Sequence, residues 1–136
     1  IGIDEITPLL CDHSERKIIK PDRLEKVIVS AMKQSLKAYR PVLNPLTEFQ
    51  TFIAKERNGV KYIAHCEEGN KKRLDEVYSP ESNATILIGP EGDFSKKEIL
   101  SAFSHHFIPI TLGESRLRTE TAGIVACHSI NFVNRI

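Results

Sequence analysis

Residues 84–88, Ala-Thr-Ile-Leu-Ile, form an apolar run with little polar alternation, and this run limits the fold more than any other feature. A strand of that kind is buried on both faces, which is the situation of a parallel sheet covered by helices. It leads straight into Gly89-Pro-Glu-Gly-Asp-Phe94, a stretch that neither strand nor helix tolerates. Ser95-Lys-Lys-Glu98 then reads as a capping box, and Ile99, Leu100 and Phe103 give the following helix its apolar side. Phe107–Leu112 is a further strand, followed by a second special loop, Gly113-Glu-Ser-Arg-Leu-Arg-Thr-Glu120. The closing helix, opened by Thr119 or Thr121, carries Ala122, Val125, Ala126, Ser129, Phe132 and Val133 on one face.

The upstream half continues the alternation. Glu5–Leu10 reads as a short strand, with Pro8 placing it near an edge or a bend. Pro21 sits in the first turn of a helix whose Leu24, Val27, Ile28, Ala31, Ser35 and Ala38 keep a 3.6-residue period, ending before Pro41. Leu46–Arg57 reads as a second helix, with Thr47 and Gln50 as its capping box. Asn58-Gly59 turns the chain into a strand at Val60–Cys66. Residues 67–83 are polar and turn-rich, anchored by Leu74, Val77 and Tyr78. The expected fold is therefore α/β, a mostly parallel sheet flanked by helices, in one domain over residues 1–136.

Several classes fall away. With 40% hydrophobic and 27% charged residues the chain has globular composition, and no apolar run approaches the roughly 18 residues of a membrane helix. Cys11, Cys66 and Cys127 are an odd, widely spaced set with no CxxC pair, which points away from a disulfide framework or zinc ribbon and towards a reducing compartment. His65-Cys66 and Cys127-His128 are adjacent pairs with poor chelating geometry, and His105-His106 falls at a helix end, so no metal is expected. No Ser or Cys occupies a nucleophile elbow. The chain begins at Ile1-Gly-Ile3 without an initiator Met or leader pattern, which reads as a fragment of something longer.

Charge is uneven although the net is only +1. Residues 16–40 hold Arg16, Lys17, Lys20, Arg23, Lys26, Lys33, Lys37 and Arg40 against Asp22 and Glu25. Such a block is a candidate phosphate-binding face, although from charge alone a solvated helix face is the simpler account.

In open parallel sheets ligands bind beyond the carboxyl ends of the strands. Both special loops leave such ends, so they are the natural walls of one site. The first is neither a dinucleotide fingerprint nor a P-loop. Gly89 and Gly92 would let the backbone approach a ligand closely, although an ordinary strand-to-helix turn needs such residues too. Arg116, Arg118 and Glu120 lie within five residues at a helix start, which suits an anionic ligand; alternatively Arg118 and Glu120 pair and cap the helix.

Taken together, Ile86-Leu-Ile-Gly-Pro-Glu-Gly-Asp-Phe-Ser95 and Leu112-Gly-Glu-Ser-Arg-Leu-Arg-Thr-Glu-Thr-Ala122 closely resemble the RsmE family of 16S ribosomal RNA methyltransferases, in the SPOUT superfamily. Ser14-Glu-Arg-Lys17, Lys20, Arg23 and Lys33-Gln-Ser35 resemble that family's basic region and its Gln-Ser signature. The similarity covers nearly the whole chain. It implies a SPOUT-type fold whose C-terminal segment is threaded into a trefoil knot. It also implies S-adenosyl-L-methionine as cofactor, released as S-adenosyl-L-homocysteine, and methylation of uridine N3 in the decoding region of 16S rRNA. The expected partners are the small ribosomal subunit and a second copy of the chain, the last helix helping to form the interface, in the cytoplasm and without a membrane.

Carried over residue by residue, the resemblance places the cofactor against Ile88, Gly89, Pro90, Glu91 and Gly92, then Ile110, Leu112 and Gly113, then Leu117, Arg118, Thr119, Thr121 and Ala122. Arg116 or Arg118 would stabilise charge on the uracil oxygens, and Glu120 would accept the N3 proton or orient an arginine. Arg16, Lys17, Lys20, Arg23, Gln34, Ser35 and Arg40 would hold RNA. Three departures stand out: the family's N-terminal PUA-like barrel is not in this chain, the family's catalytic domain begins earlier with a strand and a helix before the position of Ile1, and Asp93 stands where the family commonly has a second Gly. The competing readings are another SPOUT RNA methyltransferase acting on a tRNA ribose or base, a non-catalytic RNA-binding module, and a flavodoxin-like nucleotide-binding domain.

Overall fold

Every strand pair among the described residues is parallel, so each strand reaches its neighbour through a crossover. The structure is a computed structural model that describes residues 1–15 and 17–135. In chain order the elements are β1 (Glu5–Ile6), β2 (Leu9–Leu10), α1 (Pro21–Ser35), β3 (Val42–Leu43), β4 (Thr47–Glu48), α2 (Phe49–Ala54), β5 (Val60–Ala64), β6 (Lys72–Arg73), α3 (Leu74–Val77), β7 (Ala84–Ile88), α4 (Lys96–Ser104), β8 (Ile108–Thr111) and α5 (Thr119–Asn134). The main sheet has the order β6-β8-β5-β7, and two small pairs, β1-β3 and β2-β4, lie apart from it. The parallel sheet with flanking helices is the α/β architecture expected from the residues.

The central strands are apolar because both faces are covered. Along β5 Tyr62 and Ile63 are both buried and belong to opposite sides. Ile63 and Leu87 meet Phe49 and Ile53 of α2 and Ile99 and Ala102 of α4. Tyr62 and Ile110 meet Leu74 of α3 and Ala126 and Val133 of α5. Each fully buried aliphatic side chain stabilises by about 1.5–3 kcal/mol, so these two layers hold the sheet between its helices. Burial also raises the Tyr62 hydroxyl pKa, with Tyr78 adding to the effect.

Local expectations fail where long-range pairing competes. The strand read at 5–10 is broken by Thr7-Pro8 into two pieces that pair with different partners, Ile6 with Leu43 and Leu9 with Thr47. The helix read at 46–57 shrinks to Phe49–Ala54, because Thr47-Glu48 is drawn into β4 beside β2. Thr47 therefore caps nothing, and its hydroxyl donates to Pro45 O at 2.9 Å. α1 ends at Ser35, well before Pro41. Leu36 turns left-handed (φ 56°), and the Lys37 N–H reaches back to Met32 O at 3.1 Å, leaving Ala38 outside. Residues 67–83, read as loop, contain β6 and the single turn α3.

α4 begins with the capping box read from the sequence. Ser95 Oγ accepts from Glu98 N at 3.2 Å, and Glu98 Oε1 accepts from Ser95 N at 2.9 Å. Its apolar side is Ile99 and Ala102, however; Leu100 and Phe103 are exposed. On α5, Ala126 and Val133 are buried and Phe132 is exposed. Arg118 stands at the N-cap of α5 without a side-chain cap, so neither Thr119 nor Thr121 opens it in the expected way.

Candidate functional site

Three strands of the main sheet end together at one cleft of about 790 Å³. β5 has β7 on one side and β8 on the other, so their carboxyl ends open into a common crevice. The segments leaving β7, β8 and β5 supply the walls: Gly89–Glu91 with Asp93, Leu112–Glu120, and His65-Cys66 with Lys71. The volume lies in the range of small-molecule sites, roughly 300–1,000 Å³.

The first two walls are those read from the sequence, and the structure joins them. Thr119 Oγ1 donates to Gly89 O at 2.8 Å, tying the start of α5 to the loop after β7. Gly89 is needed for packing: a Cβ there would sit 3.2 Å from the Phe94 N and ring and 3.3 Å from Asp93 Oδ1. Gly113, at φ +147°, has no atom within 4 Å of where a Cβ would point, so the wall beside it stays open for main-chain contact with a ligand. Ile88, Gly89, Pro90, Glu91, Ile110, Leu112, Gly113, Leu117, Arg118, Thr119 and Ala122 all line the cleft.

Two of the expected cofactor contacts do not. Gly92 faces outward, where its carbonyl lies 3.0 Å from His13 Nδ1, and a Cβ there would meet His13 Cβ at 3.0 Å. Thr121 is exposed on the first turn of α5, because its neighbours Glu120 and Ala122 take the inward positions.

Arg116, Arg118 and Glu120 line the cleft with exposed side chains. Among the described residues neither arginine forms an ion pair, so Arg118 is not held by Glu120. The cationic groups stay available at the cleft mouth.

The third wall was missed by sequence reasoning. His65 is the residue immediately after β5, buried, with both ring nitrogens lacking a hydrogen-bond partner among the described residues. Its ring stands edge-on to Phe103 with centres 5.9 Å apart. Burial, then the nearby Lys71 ammonium, pull its pKa below the ordinary histidine value against the opposing pull of Asp93 and Glu67. The imidazole is therefore neutral near pH 7 and offers one donor and one acceptor. Lys71 Nζ donates to His65 O at 2.7 Å and fixes this wall. The available signal was the rule already applied to β7 and β8, since His65 also follows the carboxyl end of a predicted strand.

The segment 11–14 braces the loop after β7 from outside. Buried Glu98 accepts from Asp12 N at 3.0 Å, and Ser95 Oγ donates to Asp12 Oδ2 at 2.6 Å. Cys11 packs into the core beside them, and burial, reinforced by the Glu98 charge, pushes its thiol up to about 12.

The basic block stands away from the cleft: none of its described residues lines it. Lys17, Lys20, Arg23 and Gln34 are exposed. Ser35 is also exposed but donates its hydroxyl to Ala31 O at 2.7 Å, and Arg40 is ion-paired with Glu25. Those two side chains are partly committed within the chain. Arg16 lies outside the described residues. No group of three or more His, Cys, Asp or Glu among the described residues is placed to hold a metal, and no helix there is long and apolar enough to cross a membrane.

A parallel α/β sheet with a cleft at converging carboxyl ends, walled by glycine-bearing loops, defines a small-ligand-binding α/β domain. The family described as the RNA methyltransferase domain matches residues 1–131. A ribosomal RNA small subunit methyltransferase E of Rickettsia conorii is 30% identical over 136 residues, covering 98% of this chain and 55% of that protein. The crystal structure of a probable rRNA-methyltransferase from Porphyromonas gingivalis superimposes with a TM-score of 0.92 at 46% identity, over 98% of this chain and 58% of that one. A putative methyltransferase from Legionella pneumophila, solved with bound cofactor SAM, gives a TM-score of 0.88 at 29% identity, over 96% and 56% of the two chains. The chain thus belongs to the RNA methyltransferase domain family and, within it, to the RsmE family. It spans about half the length of the curated relatives it matches.

Proposed function

We propose that this domain binds S-adenosyl-L-methionine in the cleft and transfers its methyl group to N3 of a uridine in 16S ribosomal RNA. The observation that carries the reading is the cleft itself, in which the loops after β7 and β8 are joined by Thr119 and Gly89. Its volume suits a nucleoside joined to an amino acid, and the open space beside Gly113 suits a planar group laid against backbone. The Legionella relative is solved with the same cofactor.

When bound, the cofactor supplies an activated methyl on a cationic sulfur. The protein's part is positioning and charge. Gly89, Leu112, Gly113, Leu117 and Thr119 hold the ligand, while Leu112 and Leu117 keep water from its face. Uracil N3 is a weak nucleophile while protonated, so the site must stabilise the anion formed as its proton leaves. Arg116 and Arg118, which form no ion pair among the described residues, would face the uracil oxygens, and Glu120 is the nearby carboxylate for the proton or for orienting an arginine. The target base must be unpaired or flipped out, because pairing hides its N3 edge. Lys17, Lys20 and Arg23, with Arg16 beside them in sequence, hold the surrounding phosphates.

The domain works with a second copy of itself on the small ribosomal subunit in the cytoplasm. The exposed Ile124 and Phe132 of α5 supply an apolar face for the second copy. A trefoil knot would thread the segment before α5 past the loop after β7, a reading supported by the bond from Thr119 to Gly89.

The test is nucleoside mass spectrometry. Small subunits lacking the modification are incubated with the full-length parent and labelled cofactor. 3-Methyluridine in 16S rRNA is the expected product; a methylated ribose, another base or methylated tRNA would replace this reading with a different SPOUT activity.

A further inference from the structure

Asp93 combines three features that no other acid of the cleft shares. It is half-buried, whereas Glu91, Glu114 and Glu120 are exposed. Its backbone is left-handed at φ +65°, a region natural to Gly and tolerated by Asp and Asn. Its carboxylate is held through Oδ2, which accepts from Cys66 N at 3.0 Å, while Oδ1 stands beside Gly89, 3.3 Å from where a Cβ would be. The Asp93 N–H, donating to Pro90 O at 2.9 Å, closes the turn that aims the side chain.

This charge has no counterion among the described residues. Lys71, on the neighbouring wall after β5, gives its ammonium to the carbonyl of His65, and neither cleft arginine forms an ion pair among the described residues. A fixed, partly desolvated carboxylate without a cation beside it makes a local negative potential that water screens incompletely. Its strength is felt by any ligand whose charge changes in the reaction.

We propose that Asp93 makes the cleft selective for ligand charge, favouring the sulfonium-bearing S-adenosyl-L-methionine over the neutral thioether S-adenosyl-L-homocysteine. This rests on the cofactor reading above and goes beyond it, because a cleft built from backbone groups alone reads shape and would hold donor and product alike. Donor and product differ by one methyl and one positive charge at sulfur. Attraction to Asp93 acts on that charge, so it disappears when the methyl leaves, and product release is eased without any movement of the walls. Asp93 is in this account a specificity-determining residue and takes no part in the transfer.

The test separates charge from structure by substitution. Asp93→Asn keeps an oxygen for the Cys66 N–H and keeps a side chain suited to the left-handed backbone, while removing the charge. Asp93→Gly relaxes the backbone but loses the tie to Cys66 as well. Affinities of S-adenosyl-L-methionine and S-adenosyl-L-homocysteine are measured by calorimetry on the unaltered chain and both variants, at low and moderate salt. Asp93→Asn is expected to weaken the donor about three- to tenfold and leave the product within about twofold, with a smaller difference at higher salt. An unchanged ratio of the two affinities, or equal weakening of both, would overturn the proposal and leave Asp93 a structural clasp. If the unaltered chain binds neither ligand, the cofactor reading fails first and takes this inference with it.

Discussion

Replacing Glu98 tests how the N-terminal segment braces the cleft. Its carboxylate is 2% exposed and accepts two backbone N–H groups, from Ser95 at 2.9 Å and Asp12 at 3.0 Å. Hydrogen bonds to a charged group contribute about 1.5–3 kcal/mol each, so two bonds set an upper range of about 3–6 kcal/mol. Asp12 is exposed, so water recovers part of the loss, and Glu98→Ala should cost about 2–4 kcal/mol. That is a large share of the ~5–15 kcal/mol that holds a domain together. Glu98→Gln should fall between the two, because its amide can accept from only one of the N–H groups and turns a donor towards the other. Urea unfolding measures the loss, and amide exchange locates it: Asp12 and Ser95 should lose protection before the strands β5 and β7 do. The loop after β7 should loosen with them, since His13 of the same segment lies against Gly92 O. A Glu98→Ala variant within about 0.5 kcal/mol of the parent, with Asp12 still protected, would refute the bracing argument.

Four further outcomes are expected. His65 is held neutral by burial, so below its unfolded pKa of about 6.5 the unfolded chain binds a proton that the folded chain refuses. Stability should therefore fall as pH drops from about 6.5 towards the lowered folded value, by at most about 1.4 kcal/mol per pH unit from this group, and His65→Leu should flatten that slope in urea titrations at successive pH values. Gly89→Ala forces Phe94 N and the Phe94 ring to give way, and should cost about 1–3 kcal/mol while weakening cofactor binding; a calorimetric affinity equal to the parent's would take Gly89 out of the wall. Arg118→Ala in the full-length parent should lower kcat by about 10²-fold or more with cofactor affinity little changed, and equal kcat would exclude it from charge stabilisation. Lys17→Ala with Lys20→Ala should flatten the logarithmic dependence of RNA affinity on salt by about 1–2 units, and an unchanged slope would return the basic block to a solvated face.

What could be read from the residues was local. β7, the Ser95–Glu98 box and the two glycine loops announce themselves within a few positions, through an apolar run, a paired cap and breakers. The site followed from them by one topological rule. β1 to β4 are two-residue strands, and Leu9 pairs with Thr47 across the whole of α1 in sequence, so no local pattern marks them. Thr47 and Gln50 even satisfy a capping pattern that the pairing of Thr47-Glu48 overrides. Leu100 and Phe103 fit a helical stripe, yet the shallow contact of α4 with α2 and the sheet needs only Ile99 and Ala102. His65 was discounted as half of a poor metal pair, and its place on the third wall depends on Lys71 and Phe103, far from it in pattern though near in space.

The central claim is that the methyl donor sits between the loops after β7 and β8. Amide chemical shifts of the labelled chain, followed while S-adenosyl-L-methionine is added, test it most directly. Gly89, Asp93, Gly113, Leu117 and Thr119 should move along one saturating curve at one ligand per chain, with Arg23 to Lys33 of α1 unmoved. Saturating shifts confined to α1 or the outer face of α4, or no saturable shift at all, would contradict the account.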